Sequence, residues 1–123
     1  MSTFSAFDLI PSIQSSLKKE GFVTPTEIQE LALPALLEGK SVVGVAETGS
    51  GKTLAYALPI LQKLKQLEVA GDSVSTAGQP RAVILVPTSD LGEQVAKVLK
   101  VFTHETRLRV RSTLGVVGMS VTV

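Results

Sequence analysis

The sequence has 123 residues, which suits one domain, and its 44% hydrophobic and 19% charged residues allow a packed core and exclude wholesale disorder. A formal net charge of +1 makes any nucleic-acid site a local feature rather than a property of the whole surface. With no cysteine, a disulfide scaffold and a thiolate metal site are excluded, and a single histidine disfavours a His-based zinc site.

Met1–Pro11 has no basic residue and no long apolar core, so it does not read as a secretory signal. The apolar runs Leu31–Leu37 and Ala55–Leu61 fall short of the roughly 18–20 residues of a membrane span. A soluble intracellular protein, cytoplasmic in location, is the expectation.

Phe4 to Glu20 carries Leu9, Ile10, Ile13 and Leu17 at helical spacing, with Pro11 suited to a first turn and Gly21 to the position just past the end. Lys18 and Lys19 close that helix favourably against its dipole. A second helix is expected at Thr24-Pro25-Thr26-Glu27, with Thr24 as cap, Pro25 at the first position and Glu27 reaching back. Pro34 should kink it or split it before Gly39.

Ser41–Ala46 reads as a buried parallel strand, with valines on both faces. It stops at the glycine-rich Glu47-Thr48-Gly49-Ser50-Gly51, and Lys52, Thr53 and a long helical segment follow. Strand, glycine-rich turn and helix is the order of a phosphate-binding loop. Gly49 and Gly51 let the backbone N–H groups turn inward, and the helix start adds unpaired donors and partial positive charge. Lys52 would reach the β and γ phosphates as a point charge, and the Thr53 hydroxyl would meet Mg²⁺. The general pattern opens with glycine, and Ala46 stands in that position here.

The helix after the loop should run from Lys52 to about Glu68, with Leu54, Leu58, Leu61 and Leu64 on one stripe and a bend at Pro59. Val69–Pro80 reads as a surface loop and Arg81–Val86 as a second buried strand, parallel to the first through a right-handed crossover. Thr88 or Ser89 can cap a further helix to about Phe102. Leu108–Val117 looks like a third strand, and Arg107, Arg109 and Arg111 alternate onto one face, read as a solvated strand face in preference to an RNA-facing basic edge.

Taken together, these landmarks resemble the DEAD-box family of ATP-dependent RNA helicases. Gly21-Phe22-x-x-Pro25-Thr26-x-Ile28-Gln29 is similar to that family's Q motif, and Phe4 stands where its upstream aromatic belongs, seventeen positions before Gly21. Ala46–Thr53 matches its phosphate loop, which does begin with alanine, and Leu58-Pro59-Ile60-Leu61 is a familiar string in the next helix. Pro87-Thr88-Ser89-Asp90-Leu91 is similar to its RNA-contacting P-T-R-E-L, with Ser89 in place of arginine and Asp90 in place of glutamate.

The resemblance implies a three-layer α/β RecA-like fold with a parallel sheet, here partial. Residues 1–39 would form a Q-motif helical region and 40–123 the P-loop βαβ core. ATP or ADP with Mg²⁺ would bind through Phe22, Thr24, Gln29, Ala46, Glu47, Thr48, Gly49, Ser50, Gly51, Lys52 and Thr53. Within that set Gln29 reads adenine, Phe22 stacks on it, Thr26 ties the Q motif to the loop, and Lys52 and Thr53 serve catalysis. Pro87, Thr88 and Ser89 would contact the RNA backbone. No D-E-x-D run occurs anywhere, so the sequence reads as the front part of a helicase's first domain, binding nucleotide without turnover. A non-catalytic adenine-nucleotide module is the alternative. A GTPase is disfavoured by the adenine-reading Gln29, and a small kinase by the want of a lid and an acceptor site.

Overall fold

Helices pack around one core in the computed structural model, which describes residues 3–47, 51–71, 81–108 and 110. A single 3₁₀ turn, Phe4–Ala6, precedes α1 (Pro11–Lys19), α2 (Glu27–Leu37), α3 (Lys52–Val69) and α4 (Ser89–Thr106). Helix α3 is central: α2 packs on one side of it and α4 on another, while α1 packs on α4 and carries the 3₁₀ turn. The core joins Ile13 and Leu17 of α1, Leu33 of α2, Leu54, Leu58 and Leu61 of α3, and Val95, Leu99 and Phe102 of α4.

Punctuation residues set the ends. Pro11 opens α1 and needs no N–H there. Gly21 and Gly39, both at positive φ, follow α1 and α2 as expected. Leu9, expected within the first helix, lies before it, because the chain between Ala6 and Pro11 is not helical.

The start of α2 lies two residues beyond the expectation. Thr26 is its cap and Gln29, not Glu27, reaches back: the Gln29 Oε1 accepts the Thr26 N–H at 2.9 Å. Pro34 sits inside one continuous helix instead of dividing it. The carbonyl it leaves without a helical donor is that of Glu30, on an exposed face where water serves. Helix α3 likewise continues through Pro59. Helix α4 is capped by Thr88, whose Oγ1 accepts the Leu91 N–H at 3.2 Å, and it runs past Phe102 to Thr106.

The two runs expected as strands differ more. Ser41–Ala46 and Arg81–Val86 take part in no ladder among the described residues, so the expected parallel pairing between them is not made. The second still alternates as strand backbone does. Ile84 and Val86 lean on the helical core while Val83 and Leu85 are exposed. In the first run the bare Gly44 faces Ile28 of α2, and Val43 and Val45 are exposed. The second run is thus covered on one face, while the first is exposed from Ser41 to Val45 and touches α2 only where Gly44 lies beside Ile28. The expected loop at 69–80 and third strand at 108–117 lie largely outside the described residues. No helix among those described is long and apolar enough to cross a membrane.

Candidate nucleotide site

The candidate site lies where α2 meets the start of α3. Gly51 caps α3 with φ +91°, a left-handed conformation that side chains rarely adopt. A Cβ there would lie 2.5 Å from Gln29 Nε2 and 2.6 Å from Thr26 Oγ1. Glycine is therefore required twice, once by the backbone and once by the side chains of α2 against it.

Gln29 occupies the space that glycine leaves. It is 2% exposed, and its Nε2 donates to the Gly51 carbonyl at 3.0 Å while its Oε1 holds the Thr26 N–H. The Gly51 carbonyl also accepts the Ala55 N–H, which opens the hydrogen-bond ladder of α3. One amide thus closes the start of α2 and grips the start of α3. An amide carries two hydrogens on nitrogen and two acceptor positions on oxygen, so one of each stays uncommitted among the described residues.

Lys52 takes up the first position of α3, where its charge opposes the helix dipole. Its ammonium donates to the Ala46 carbonyl at 2.6 Å, drawing the two ends of the loop together. Thr53 is half-buried in the same turn, and Ala46 is half-buried with Glu47 exposed on the approach. An open groove of about 310 Å³ runs alongside, lined by Glu27, Ile28 and Leu31 of α2 and by Val45–Glu47. Thr48, Gly49 and Ser50 lie outside the described residues.

Phe22 is 40% exposed, which leaves ring surface for stacking, and Thr24 beside it is exposed. The loop that carries them is held at both ends. Phe22 N–H donates to the Leu17 carbonyl at 2.9 Å, and the Val23 carbonyl accepts the Phe4 N–H at 3.0 Å. Pro87, Thr88 and Ser89 are exposed at the start of α4 and share no hydrogen bond with the loop among the described residues. Two polar residues carrying structural bonds escaped the sequence reading. Gln14 and Gln62 bind backbone in the segment 4–10, and a glutamine on the apolar face of α3 was the signal for Gln62.

Comparison with known proteins places the chain. The RNA-helicase Prp28 from Chaetomium thermophilum, solved bound to ADP, matches 98% of this chain with a TM-score of 0.79 and 31% identity. A DEAD box protein from the hyperthermophile Methanococcus jannaschii matches 81% with a TM-score of 0.67 and 29% identity. This chain spans 28% and 25% of those two. The class is therefore an α/β RecA-like P-loop fold, of which this chain is a part.

The family follows from sequence. The DEAD/DEAH box helicase family model matches residues 26–122. The ATP-dependent RNA helicase ddx54 of Dictyostelium discoideum is 44% identical over 115 residues, 94% of this chain. The ATP-dependent RNA helicase dbp9 of Aspergillus clavatus is 46% identical over 101 residues, 81% of this chain. The chain belongs to the DEAD/DEAH box helicase family, and it spans 10% and 16% of the length of those two relatives.

Proposed function

We propose that this chain is the adenine-nucleotide-binding part of an ATP-dependent RNA helicase. The observation that carries the reading is the bond from Gln29 to the Gly51 carbonyl, which ties the helix expected to read the base to the residue that ends the phosphate loop. The ADP bound to the solved relative and the printed names of the curated relatives support it.

The chemistry follows from the residues. Adenine offers a donor at N6 and an acceptor at N7, and the uncommitted lone pair and hydrogen of the Gln29 amide match both. Guanine presents two acceptors there, so one of its contacts is lost. The Phe22 ring covers the base. Lys52 leaves the Ala46 carbonyl for the β and γ phosphate oxygens, exchanging a neutral acceptor for a charged one. Thr53, in the same helical turn, supplies a hydroxyl to Mg²⁺, which neutralises phosphate charge when bound. The exposed start of α4 at Pro87, Thr88 and Ser89 offers backbone N–H groups to RNA phosphates. Without an acidic pair to order water, the chain binds nucleotide and does not turn it over.

The test is a fluorescent-ADP titration of this chain, competed by unlabelled ADP and by GDP. ADP displaces the probe, GDP does so poorly, and Gln29→Ala loses the preference while remaining helical by circular dichroism. Equal competition by GDP overturns the adenine reading. RNA-stimulated phosphate release above that of Lys52→Ala overturns the absence of turnover.

A further inference from the structure

Gln62 is a buried polar residue with no place in the site above. It sits on α3 about 15 Å along the axis from Lys52, is 7% exposed and lies on the face that carries Leu58 and Leu61. A buried amide is costly unless it is satisfied. Its two ends bind the main chain far upstream: Nε2 donates to the Asp8 carbonyl at 2.7 Å and Oε1 accepts the Ile10 N–H at 2.8 Å. An apolar side chain could fill the same volume. It could not fix which residue of segment 8–10 lies on α3, because apolar contact is indifferent to register and a paired donor and acceptor is not.

The segment so fixed reaches the base side of the candidate site. Gln14 of α1 donates to the Phe4 carbonyl at 3.0 Å and to the Phe7 carbonyl at 3.3 Å, so the 3₁₀ turn is clamped from the other side. Phe4 itself is 3% exposed. Its N–H donates to the Val23 carbonyl, next to Phe22. The loop 20–26 is therefore tied to α3 at both ends. One tie is direct, through Gln29 and Gly51; the other runs through Val23, Phe4, the arm 4–10 and Gln62.

We propose that Gln62 is a positioning residue for nucleotide binding: it locks the N-terminal arm to α3 and so holds the Phe22 ring in place for stacking on the base. The assignment rests on the nucleotide-binding reading given above. It makes a distinction that ordinary destabilisation does not. The phosphate loop is anchored by Gln29 and Lys52, not by Gln62, so losing Gln62 should weaken ligands that carry a base and spare ligands that are phosphate alone.

The experiment uses the full 123-residue chain with Gln62→Leu, which keeps volume and removes both bonds. Displacement of the fluorescent probe is measured with ADP and with inorganic tripolyphosphate. ADP should weaken about tenfold, the factor given by one anchoring bond of about 1.4 kcal/mol, with tripolyphosphate unchanged. Loss of both ligands in equal measure, or of neither, overturns the proposal. Gln62→Met, unbranched like glutamine and without either bond, should give the same split between the two ligands, and it replaces Gln62→Leu if that variant does not fold.

A second readout needs no ligand. The chain has no tryptophan and one tyrosine, so Phe22→Trp places a single, selectively excitable tryptophan in the half-exposed loop. Adding Gln62→Leu to it should raise acrylamide quenching and lower anisotropy; unchanged values overturn the positioning role. If the parent chain binds no ADP, the proposed function fails while this readout still decides whether Gln62 holds the ring.

Discussion

The amphipathic helices and the two more apolar runs beside them have different fates. Leu58, at the middle of α3, is 0% exposed, whereas Val43 is 93% and Leu85 89% exposed. A helix satisfies its own backbone and needs only a partner for its apolar stripe, which α2 and α4 supply to α3 here. A strand must also find neighbours for its N–H and C=O groups, and apolar character does not provide them. Arg81–Val86 has one face on the helices, Ser41–Ala46 is exposed over most of its length, and neither pairs with the other among the described residues. Stability should therefore reside in the helical layer, and substitutions can test that division.

The largest effect belongs to Phe102, which is 0% exposed and packed within the core. Phe102→Ala should cost about 3–5 kcal/mol in chemical denaturation, because the cavity cannot collapse where several helices converge. A cost near 1 kcal/mol would mean that the helical layer is not the unit that folds.

Gly51→Ala comes next and joins the two regions, since Gly51 stands between the first run and α3. The variant combines backbone strain of about 1–3 kcal/mol with a Cβ that the Gln29 amide and Thr26 hydroxyl must vacate. Folding should survive, weakened, and nucleotide displacement should be lost. Retained binding would show that the grip of α2 on the loop is dispensable.

Much of this arrangement was legible in the sequence, for physical reasons. Helix ends follow from local chemistry, so Pro11, Gly21, Gly39 and Thr88 stood where expected. The start of α2 was off by two residues because Thr24 and Thr26 can both cap. Thr26 wins because Gln29 lies three residues beyond it and returns the bond. Gln29 was singled out by motif spacing. That its amide is already shared between Thr26 and Gly51 was not legible, since the second bond spans 22 residues. Gln62 was the hardest to see: its partners lie 52 and 54 residues upstream, and no local pattern announces them. Strand pairing is long-range in the same sense. The apolar runs themselves were readable, whereas the number of covered faces depends on what lies beside them.

Thr88→Ala should have a smaller effect, about 1 kcal/mol, by freeing the Leu91 N–H at the start of α4. It separates stability from RNA contact: if the exposed start of α4 meets phosphate, RNA affinity falls by more than that cost in stability accounts for.

The smallest effect is expected at Val43, where the comparison is most open to refutation. Burying a valine side chain stabilises by about 1.5–3 kcal/mol, and with 93% of the residue exposed Val43 gains almost none of it. Val43→Ser should then shift stability by less than about 0.5 kcal/mol, as surface substitutions do. The paired control is Ile84→Ser in the second run. Ile84 leans on the helical core, so losing its apolar contact should be measurable where Val43 is silent. Equal costs at the two positions would break the comparison, because the outer face of the first run would then be as well covered as the inner face of the second. Silence at both would mean that neither run contributes to the folded core, and that the helices alone carry the stability of the chain.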